Sequence, residues 1–393
     1  MYRWSVIKML FPWFILLAVT SCGTSSGDND YAGGGIGGTG ISVGKITAAG
    51  GTSVDVNGVA FDTTNATVTL DGAAGDQNNL KAGMIVKVDG TFHPDRTTGI
   101  AVNIDFKDIL EGPVASVGSM DTVTNTVAIE VLGQTVIVDS STYFDNFSDH
   151  DGNGTVDLTE FMNDIVAGNV VEVSGFVDAD GIIYASYISL KSMTFEDYGS
   201  EIELKGIITA LNEIPGTFII GRLTIEFSLD TDFEHMTFDD LRDGLYVEVK
   251  GDGGFSDGVL IASKIELEDD GYHFEDNHEF KVEGYVTAIL LTEGKFNLAG
   301  QTVRIIATTQ YKDGSIVDIA DIKVNMKLEV EGTVDALGVL VADSIKVESG
   351  DNGSEDDSED DSSDSDDGSS DEDSEDSEDS EDEEDEEDDH DPS

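Results

Sequence analysis

The chain has 393 residues, with 82 acidic side chains against 20 lysines and arginines, so its formal net charge is -62. A charge of this sign repels phosphate backbones, which excludes a nucleic-acid partner. The chain holds one cysteine, so no intrachain disulfide can form, and the fold must be stabilised by burial or by bound metal.

The N-terminus has the pattern of a secretory signal. Arg3 and Lys8 precede an apolar run at residues 9–19, which is too short for a permanent transmembrane helix. The Val-Thr-Ser-Cys sequence that ends at Cys22 resembles the lipobox of bacterial lipoproteins. The resemblance implies that residues 1–22 are a signal peptide and that Cys22 is lipidated and anchors the protein to a membrane, with the outer membrane expected. The alternative is a cleaved signal beside an ordinary free thiol.

The segment after this cysteine is rich in glycine. Residues 23–43 contain eight glycines and no apolar pattern, so we expect a flexible tether between the anchor and the folded part.

Four segments then share one layout, in which an early glycine stands ahead of an apolar stretch and a later glycine follows a Val-x-Val-x pattern or its near equivalent. The early anchors are Gly44, Gly112, Gly206 and Gly284, and the later anchors are Gly90, Gly175, Gly251 and Gly332. Between the anchors apolar and polar residues alternate, which predicts strands with one buried face. We therefore predict an all-β fold of four tandem small β-barrels, at residues 44–110, 111–192, 201–268 and 280–348.

This repeat pattern resembles a family of bacterial lipoproteins built from repeated β-barrel domains of unknown function. The resemblance implies the fold and says nothing about activity. A single repeat, residues 201–267, is expected to fold alone, unless the repeats need their neighbours as solenoid repeats do.

Repeat 2 carries an insertion whose twelve residues, 149–160, read DHDGNGTVDLTE. The insertion resembles an EF-hand calcium loop, in which six to eight oxygens surround the ion. The resemblance implies side-chain ligands from Asp149, Asp151 and Asn153, the backbone carbonyl of Thr155, a water-mediated contact from Asp157 and both carboxylate oxygens of Glu160. Gly154 stands where the loop turns sharply. The alternative is an acidic turn that binds no ion.

The segments that flank this loop differ in their helical pattern. Residues 158–166 can form the helix that leaves the loop, with Gly168 as its stop, whereas residues 142–147 have room for barely one turn before it. The sequence contains no second loop of this kind, so we expect a structural calcium site in the weak extracellular class, with a dissociation constant of about 10⁻⁴–10⁻³ M.

Residues 349–393 hold 27 acidic side chains and no lysine or arginine, and they predict a disordered tail that solubilises the protein or captures cations. Removing those 27 acids from the 82 leaves 55 against 20 bases, a charge of -35, so the barrels themselves also disfavour nucleic acid.

No nucleophile stands in a recognisable catalytic motif, so we expect no enzymatic activity. The predicted function is a calcium-stabilised, non-catalytic binding or adhesion module of the cell envelope. The competing interpretations are an extracytoplasmic hydrolase and a carbohydrate-binding protein with a site between repeats. The sequence does not identify the protein or glycan partner.

Overall fold

The computed structural model describes residues 39–198, 202–251, 255–256, 258–268, 278–312 and 314–348. The signal peptide, Cys22, residues 23–38 of the tether and the acidic tail lie outside these residues. Strands dominate the described part, which confirms the all-β prediction. None of the helices within it is long and apolar enough to cross a membrane.

The strands are short and fall into four groups, one for each repeat. Repeat 1 contains β1 (Thr39–Gly50), β2 (Ser53–Val56), β3 (Val59–Asp62), β4 (Thr67–Leu70), β5 (Ala73–Ala74), β6 (Ile85–Phe92) and β7 (Thr98–Phe106). Repeat 2 contains β8 (Leu110–Val117), β9 (Val127–Val131), β10 (Gln134–Val138), β11 (Tyr143–Asp145), β12 (Val170–Val177) and β13 (Ile183–Ser192).

Repeat 3 contains β14 (Ile202–Ile207), β15 (Thr209–Asn212), β16 (Thr217–Ile220), β17 (Leu223–Glu226), β18 (Asp232–Glu234), β19 (Tyr246–Gly251), β20 (Phe255–Ser256), β21 (Val259–Ile261) and β22 (Lys264–Leu267). Repeat 4 contains β23 (Glu279–Leu290), β24 (Lys295–Leu298), β25 (Gln301–Arg304), β26 (Gln310–Tyr311), β27 (Lys327–Val334) and β28 (Leu340–Val347). The helices are α1 (Leu158–Asp164) and α2 (Phe195–Tyr198), with single 3-10 turns at Gln77–Asn79, Phe238–Asp240, Leu291–Glu293 and Ile319–Asp321.

Each repeat closes into a five-stranded barrel. In repeat 1 the ring runs β1–β2–β3–β7–β6 and returns to β1, and β3–β7 is its one parallel pair. Repeats 2 and 4 follow the same order. In repeat 3 the first strand is divided into β14 and β15, and the last into β21 and β22. Closure leaves none of these five strands as a free sheet edge.

The alternating sequence produces these barrels because every second side chain of a strand faces inward. In β6 and β27 buried and half-buried residues alternate along all eight positions. The inward residues are mostly valine, isoleucine and phenylalanine, whose branched or aromatic side chains suit a pleated, half-buried surface.

The glycine anchors lie where another part of the barrel approaches the backbone. A Cβ atom at the early anchors would meet a residue at the turn between the second and third strands of the ring: Asn57 at Gly44, Leu132 at Gly112, Ile220 at Gly206 and Ala299 at Gly284. At three later anchors an added Cβ atom would clash with a carbonyl oxygen of the last strand: that of Ile100 at Gly90, of Tyr184 at Gly175 and of Val341 at Gly332. These glycines therefore recur because the barrel geometry recurs.

The four barrels associate in pairs that do not follow their order in the chain. Repeats 1 and 4 share a 13-stranded sheet, in which β1 and β23 pair in parallel. Repeats 2 and 3 share a ten-stranded sheet through the antiparallel pair β8–β14, and their buried residues form one continuous core. This sharing supports the interpretation in which repeats need their neighbours.

The two pairs also contact each other. The ring of Tyr184 in repeat 2 lies 4.9 Å from that of Tyr285 in repeat 4, and the ammonium of Lys327 lies 4.2 Å above the Phe176 ring. Tyr187 of repeat 2 is buried within the core of repeat 1.

The first strand begins inside the segment predicted as a tether. β1 starts at Thr39, and Ile41 and Val43 are buried against the core of repeat 4. The tether prediction is therefore wrong for residues 39–43, because two alternating apolar residues become a buried face only when β23 lies beside them.

Candidate metal centre

The predicted calcium loop, residues 149–160, follows β11 in repeat 2 and includes the start of α1. Carboxylate oxygens of Asp149, Asp151 and Glu160 all lie within 4.8 Å of one another. Glu160 is buried, with 6% of its surface exposed, whereas Asp149 and Asp151 are exposed. The loop therefore joins one buried carboxylate to two that face solvent.

Amides of the loop backbone hold the first carboxylate and the asparagine in place. Asp149 Oδ2 accepts a hydrogen bond from the Gly154 amide at 2.8 Å, and Asn153 Oδ1 accepts one from the Thr155 amide at 2.8 Å. The Gly154 amide, together with that of Gly152, keeps the pKa of Asp149 below its usual range, so this carboxylate is ionised at neutral pH. Gly154 has φ 93°, a conformation that other residues adopt only at a cost.

Glu160 is held by the same backbone from the other end of the loop. Its Oε1 accepts hydrogen bonds from the amides of His150 at 2.7 Å and Asp151 at 3.0 Å, and its Oε2 accepts one from Asp157 at 3.1 Å. Asp157 in turn caps α1 by accepting from the amides of Thr159 and Glu160. This cap orients the glutamate toward the loop.

The helix α1 fixes the loop to the barrel through aromatic packing. The Phe161 ring stacks on Phe144, with centroids 4.6 Å apart, and meets Phe147 edge-on at 5.1 Å. The helix ends at Asp164, two residues before the predicted end, because Ile165 turns to an extended conformation and is buried in the core.

The segment that enters the loop is a strand. Residues 143–145 form β11, which pairs in parallel with β13 and buries Phe144 between two more exposed neighbours. The helical turn predicted at residues 142–147 is therefore wrong, because pairing with the distant β13 imposes the extended conformation.

A contact that the sequence did not reveal joins the start of the loop to the end of α1. Asp164 accepts a hydrogen bond from the Ser148 amide at 2.9 Å, and its other oxygen lies 2.8 Å from His150 Nε2. The Ser148 amide and His150 lower the pKa of Asp164, and the same carboxylate raises the pKa of His150. The Asp164 carboxylate therefore favours the protonated form of His150, and the contact between them closes the loop.

Ion pairing with lysine distinguishes the other acidic clusters of the described structure from the predicted calcium loop. Four further sets of three acidic or histidine side chains lie equally close together, and in each set at least one member forms an ion pair with a lysine. In the part of the chain that the structure describes, no lysine or arginine forms an ion pair with Asp149, Asp151 or Glu160. Among the described residues their negative charge therefore has no lysine or arginine partner.

The repeats match one family model four times. The domain of unknown function DUF5666 matches residues 43–105, 111–189, 205–266 and 283–346. The chain belongs to the DUF5666 family. No curated protein sequence matches the chain. A solved structure titled "drosophila Unr CSD456" is similar at 15% identity over 62% of this chain and 98% of that one, with a TM-score of 0.15, which supports no conclusion about function.

Strands β14 and β19 of the third DUF5666 repeat and Asp108, which lies between β7 and β8, form a buried charge cluster of Asp108, Glu203, Lys205, Glu248 and Lys250. Lys205 Nζ lies 3.1 Å from Asp108, 2.5 Å from Glu203 and 3.0 Å from Glu248. Lys250 Nζ lies 2.6 Å from the second oxygen of Glu203. Two ammonium groups therefore neutralise part of three buried carboxylates.

The sequence pattern does not reveal that these residues form a buried cluster. Glu203-x-Lys205 and Glu248-x-Lys250 read as the solvent face of two ordinary strands. Burial raises the pKa of Asp108 well above its usual range, and burial together with the neighbouring Glu203 raises the pKa of Glu248 to about 7. Only the packing of three repeats around these strands places the charges in the interior.

Proposed function

We propose that the chain is an exported, lipid-anchored calcium-binding protein whose four barrels form a non-catalytic binding or adhesion module of the cell envelope. The observation that carries the calcium proposal is the cluster of Asp149, Asp151 and Glu160, with which no lysine or arginine forms an ion pair in the described structure. The anchor part of the proposal rests on Cys22 and the apolar run before it.

The donor set fits calcium better than other common ions. Asp149, Asp151, Asn153, Glu160 and the backbone of Thr155 offer only oxygen, the ligand that a hard cation prefers. Transition metals favour histidine or cysteine, neither of which is among the loop ligands. Bound calcium would neutralise the carboxylates and leave their positions fixed by the loop amides.

The role that these contacts support for the ion is structural. Phe161 connects α1 to the core of repeat 2, so an ion that orders the loop also stabilises the barrel. Binding to the native state alone adds about 2.7 kcal/mol to the free energy of unfolding at a hundredfold excess of ligand over the dissociation constant. Magnesium is expected to add less, because it dehydrates reluctantly and requires octahedral geometry.

We expect calorimetry on a chain ending at Ser349 to show one dominant calcium site. Removal of the tail takes away 27 acids that would bind calcium diffusely. Glu160→Gln keeps the size of the side chain but removes its charge, and should weaken binding by at least about tenfold, equivalent to ~1.4 kcal/mol. Glu226→Gln makes the same change at an exposed position of β17 and should leave the affinity unaltered. Equal heats for the parent and Glu160→Gln would reject the calcium site.

The anchor is tested by replacing the cysteine. The parent should incorporate labelled fatty acid and sediment with membranes, and Cys22→Ser should do neither, because a serine does not accept the lipid through a thioether. Ser26→Ala, four residues away, serves as the control and should behave as the parent does. Membrane fractionation of Cys22→Ser at the parental level would contradict the proposal.

A further inference from the structure

Repeats 2 and 3 are joined by a short strand contact at which like charges face each other. In the antiparallel pair β8–β14, Glu111 lies opposite Glu203 and Leu110 lies opposite Leu204. On its other side β8 pairs with β12, where Glu111 lies opposite Glu172. Three glutamates therefore stand side by side on adjacent strands, and this glutamate row destabilises the sheet when all three are ionised.

The glutamate row is shielded from water and has a further acid beside it. The Glu111 side chain is 15% exposed, and Glu172 and Glu203 are buried. Oxygens of Asp108, Glu111 and Glu172 lie within 4.8 Å of one another. The same holds for oxygens of Asp71, Asp108 and Glu203. Dissolved ions therefore screen the repulsion among these carboxylates only weakly.

The acids at this contact outnumber the lysines that form ion pairs with them in the described structure. Lys191 Nζ is shared between Glu172 at 2.5 Å and Glu111 at 3.1 Å. Lys205 and Lys250 serve the carboxylates of the charge cluster. The acids that face the contact are Asp71, Asp108, Glu111, Glu172, Glu203 and Glu248, and the lysines are Lys191, Lys205 and Lys250. Six carboxylates thus meet three ammonium groups, and a bound proton reduces the excess of negative charge.

The middle glutamate of the row is the group best placed to hold that proton. Burial raises the pKa of Glu111 to about 7, with Glu172 and Asp71 adding to the rise and Lys191 opposing it. A glutamate in a separated strand has a pKa of about 4.3. The paired strands therefore bind a proton that the separated strands release. This stability is fully present below about pH 4.3 and is lost as the pH rises through about 7.

We infer that the β8–β14 contact is a pH-sensitive switch, which is tight when the glutamate row holds a proton and loosens when the row is fully ionised. The core that repeats 2 and 3 share keeps the two barrels associated, so the change is a local opening of this strand pair. The opening would break the hydrogen bond that the Lys205 amide donates to the Ile109 carbonyl at 2.8 Å.

Hydrogen exchange of the Lys205 amide in the full chain tests this inference. NMR of protein labelled with ¹⁵N-lysine follows this amide at pH 6 and pH 8 with calcium present at both. The protection factor compares its exchange rate with that of an unstructured peptide at the same pH, which removes the intrinsic effect of hydroxide. Protection should be at least about tenfold higher at pH 6, because a group with a pKa of about 7 in the paired state and about 4.3 when separated shifts the opening equilibrium by that factor.

Variants tie the pH dependence to the glutamate row. Glu111→Gln keeps the size of the side chain but cannot ionise, and should lower the ratio of the two protection factors by about tenfold. Glu172→Gln removes a repelling neighbour of Glu111 and should lower the ratio in the same direction, which provides a test if the first variant does not fold. Glu226→Gln changes an exposed glutamate of β17 and should keep the parental ratio. The inference is overturned if the parental ratio is near one, if the folded variants of the glutamate row keep the parental ratio, or if Glu226→Gln lowers it equally.

Discussion

Replacing Lys205 with methionine is expected to lower the free energy of unfolding by about 3–5 kcal/mol, the usual cost of leaving buried charge without its partner. The Lys205 side chain is 5% exposed and lies within 3.1 Å of the carboxylates of Asp108, Glu203 and Glu248. Methionine fills much of the same space, so lost packing contributes little. Urea denaturation at pH 8 measures the difference.

Two comparisons separate this effect from a general loss of charge. Lys346→Met removes the ammonium of an exposed ion pair with Glu348 and should cost less than about 1 kcal/mol. The deficit of Lys205→Met should also shrink as the pH falls from 8 to 5. Burial raises the pKa of Asp108 and Glu248, and the Lys205 ammonium opposes this rise. Without Lys205 these pKa values rise further, so the native variant binds protons there at higher pH than the native parent does and recovers more stability as the pH falls. A small or pH-independent deficit would show that the ammonium does not stabilise the charge cluster.

Gly90→Ala is expected to destabilise repeat 1 by about 3 kcal/mol, at the upper end of the usual cost of overpacking. An added methyl group would lie 2.3 Å from the Ile100 carbonyl oxygen and 3.2 Å from the Ala101 Cα. Both atoms belong to the backbone of β7, which is paired with β6 and cannot move without breaking the sheet.

Gly50→Ala is the matched control for this change. Gly50 lies at the end of β1 in the same repeat, and a Cβ atom there would have no neighbour within 4 Å. Its φ is not positive, so alanine should be neutral or stabilise the repeat by up to about 1 kcal/mol. Thermal denaturation followed by circular dichroism distinguishes the two variants, and similar melting temperatures would mean that the anchor glycines recur for another reason.

The sequence by itself determined the local features of this protein. Alternating apolar residues specify strands because each strand has a period of two, and the glycine anchors mark four copies of one barrel because each copy has the same close backbone contacts. The cluster of carboxylates predicted to bind calcium is local for the same reason: Asp149, Asp151 and Glu160 lie within twelve residues, so the chain needs only local turns to bring them within 4.8 Å of one another.

Only the tertiary structure decided what depends on distant parts of the chain. The pairing of β1 with β23 joins residues 40–43 to residues 279–282, and no local pattern indicates that repeat 1 associates with repeat 4. The strand that precedes the predicted calcium loop and the buried charges around Lys205 likewise depend on contacts between strands or repeats. A polar residue on the outer face of a strand reads the same in sequence whether water or another barrel covers it, so packing alone places these charges in the interior.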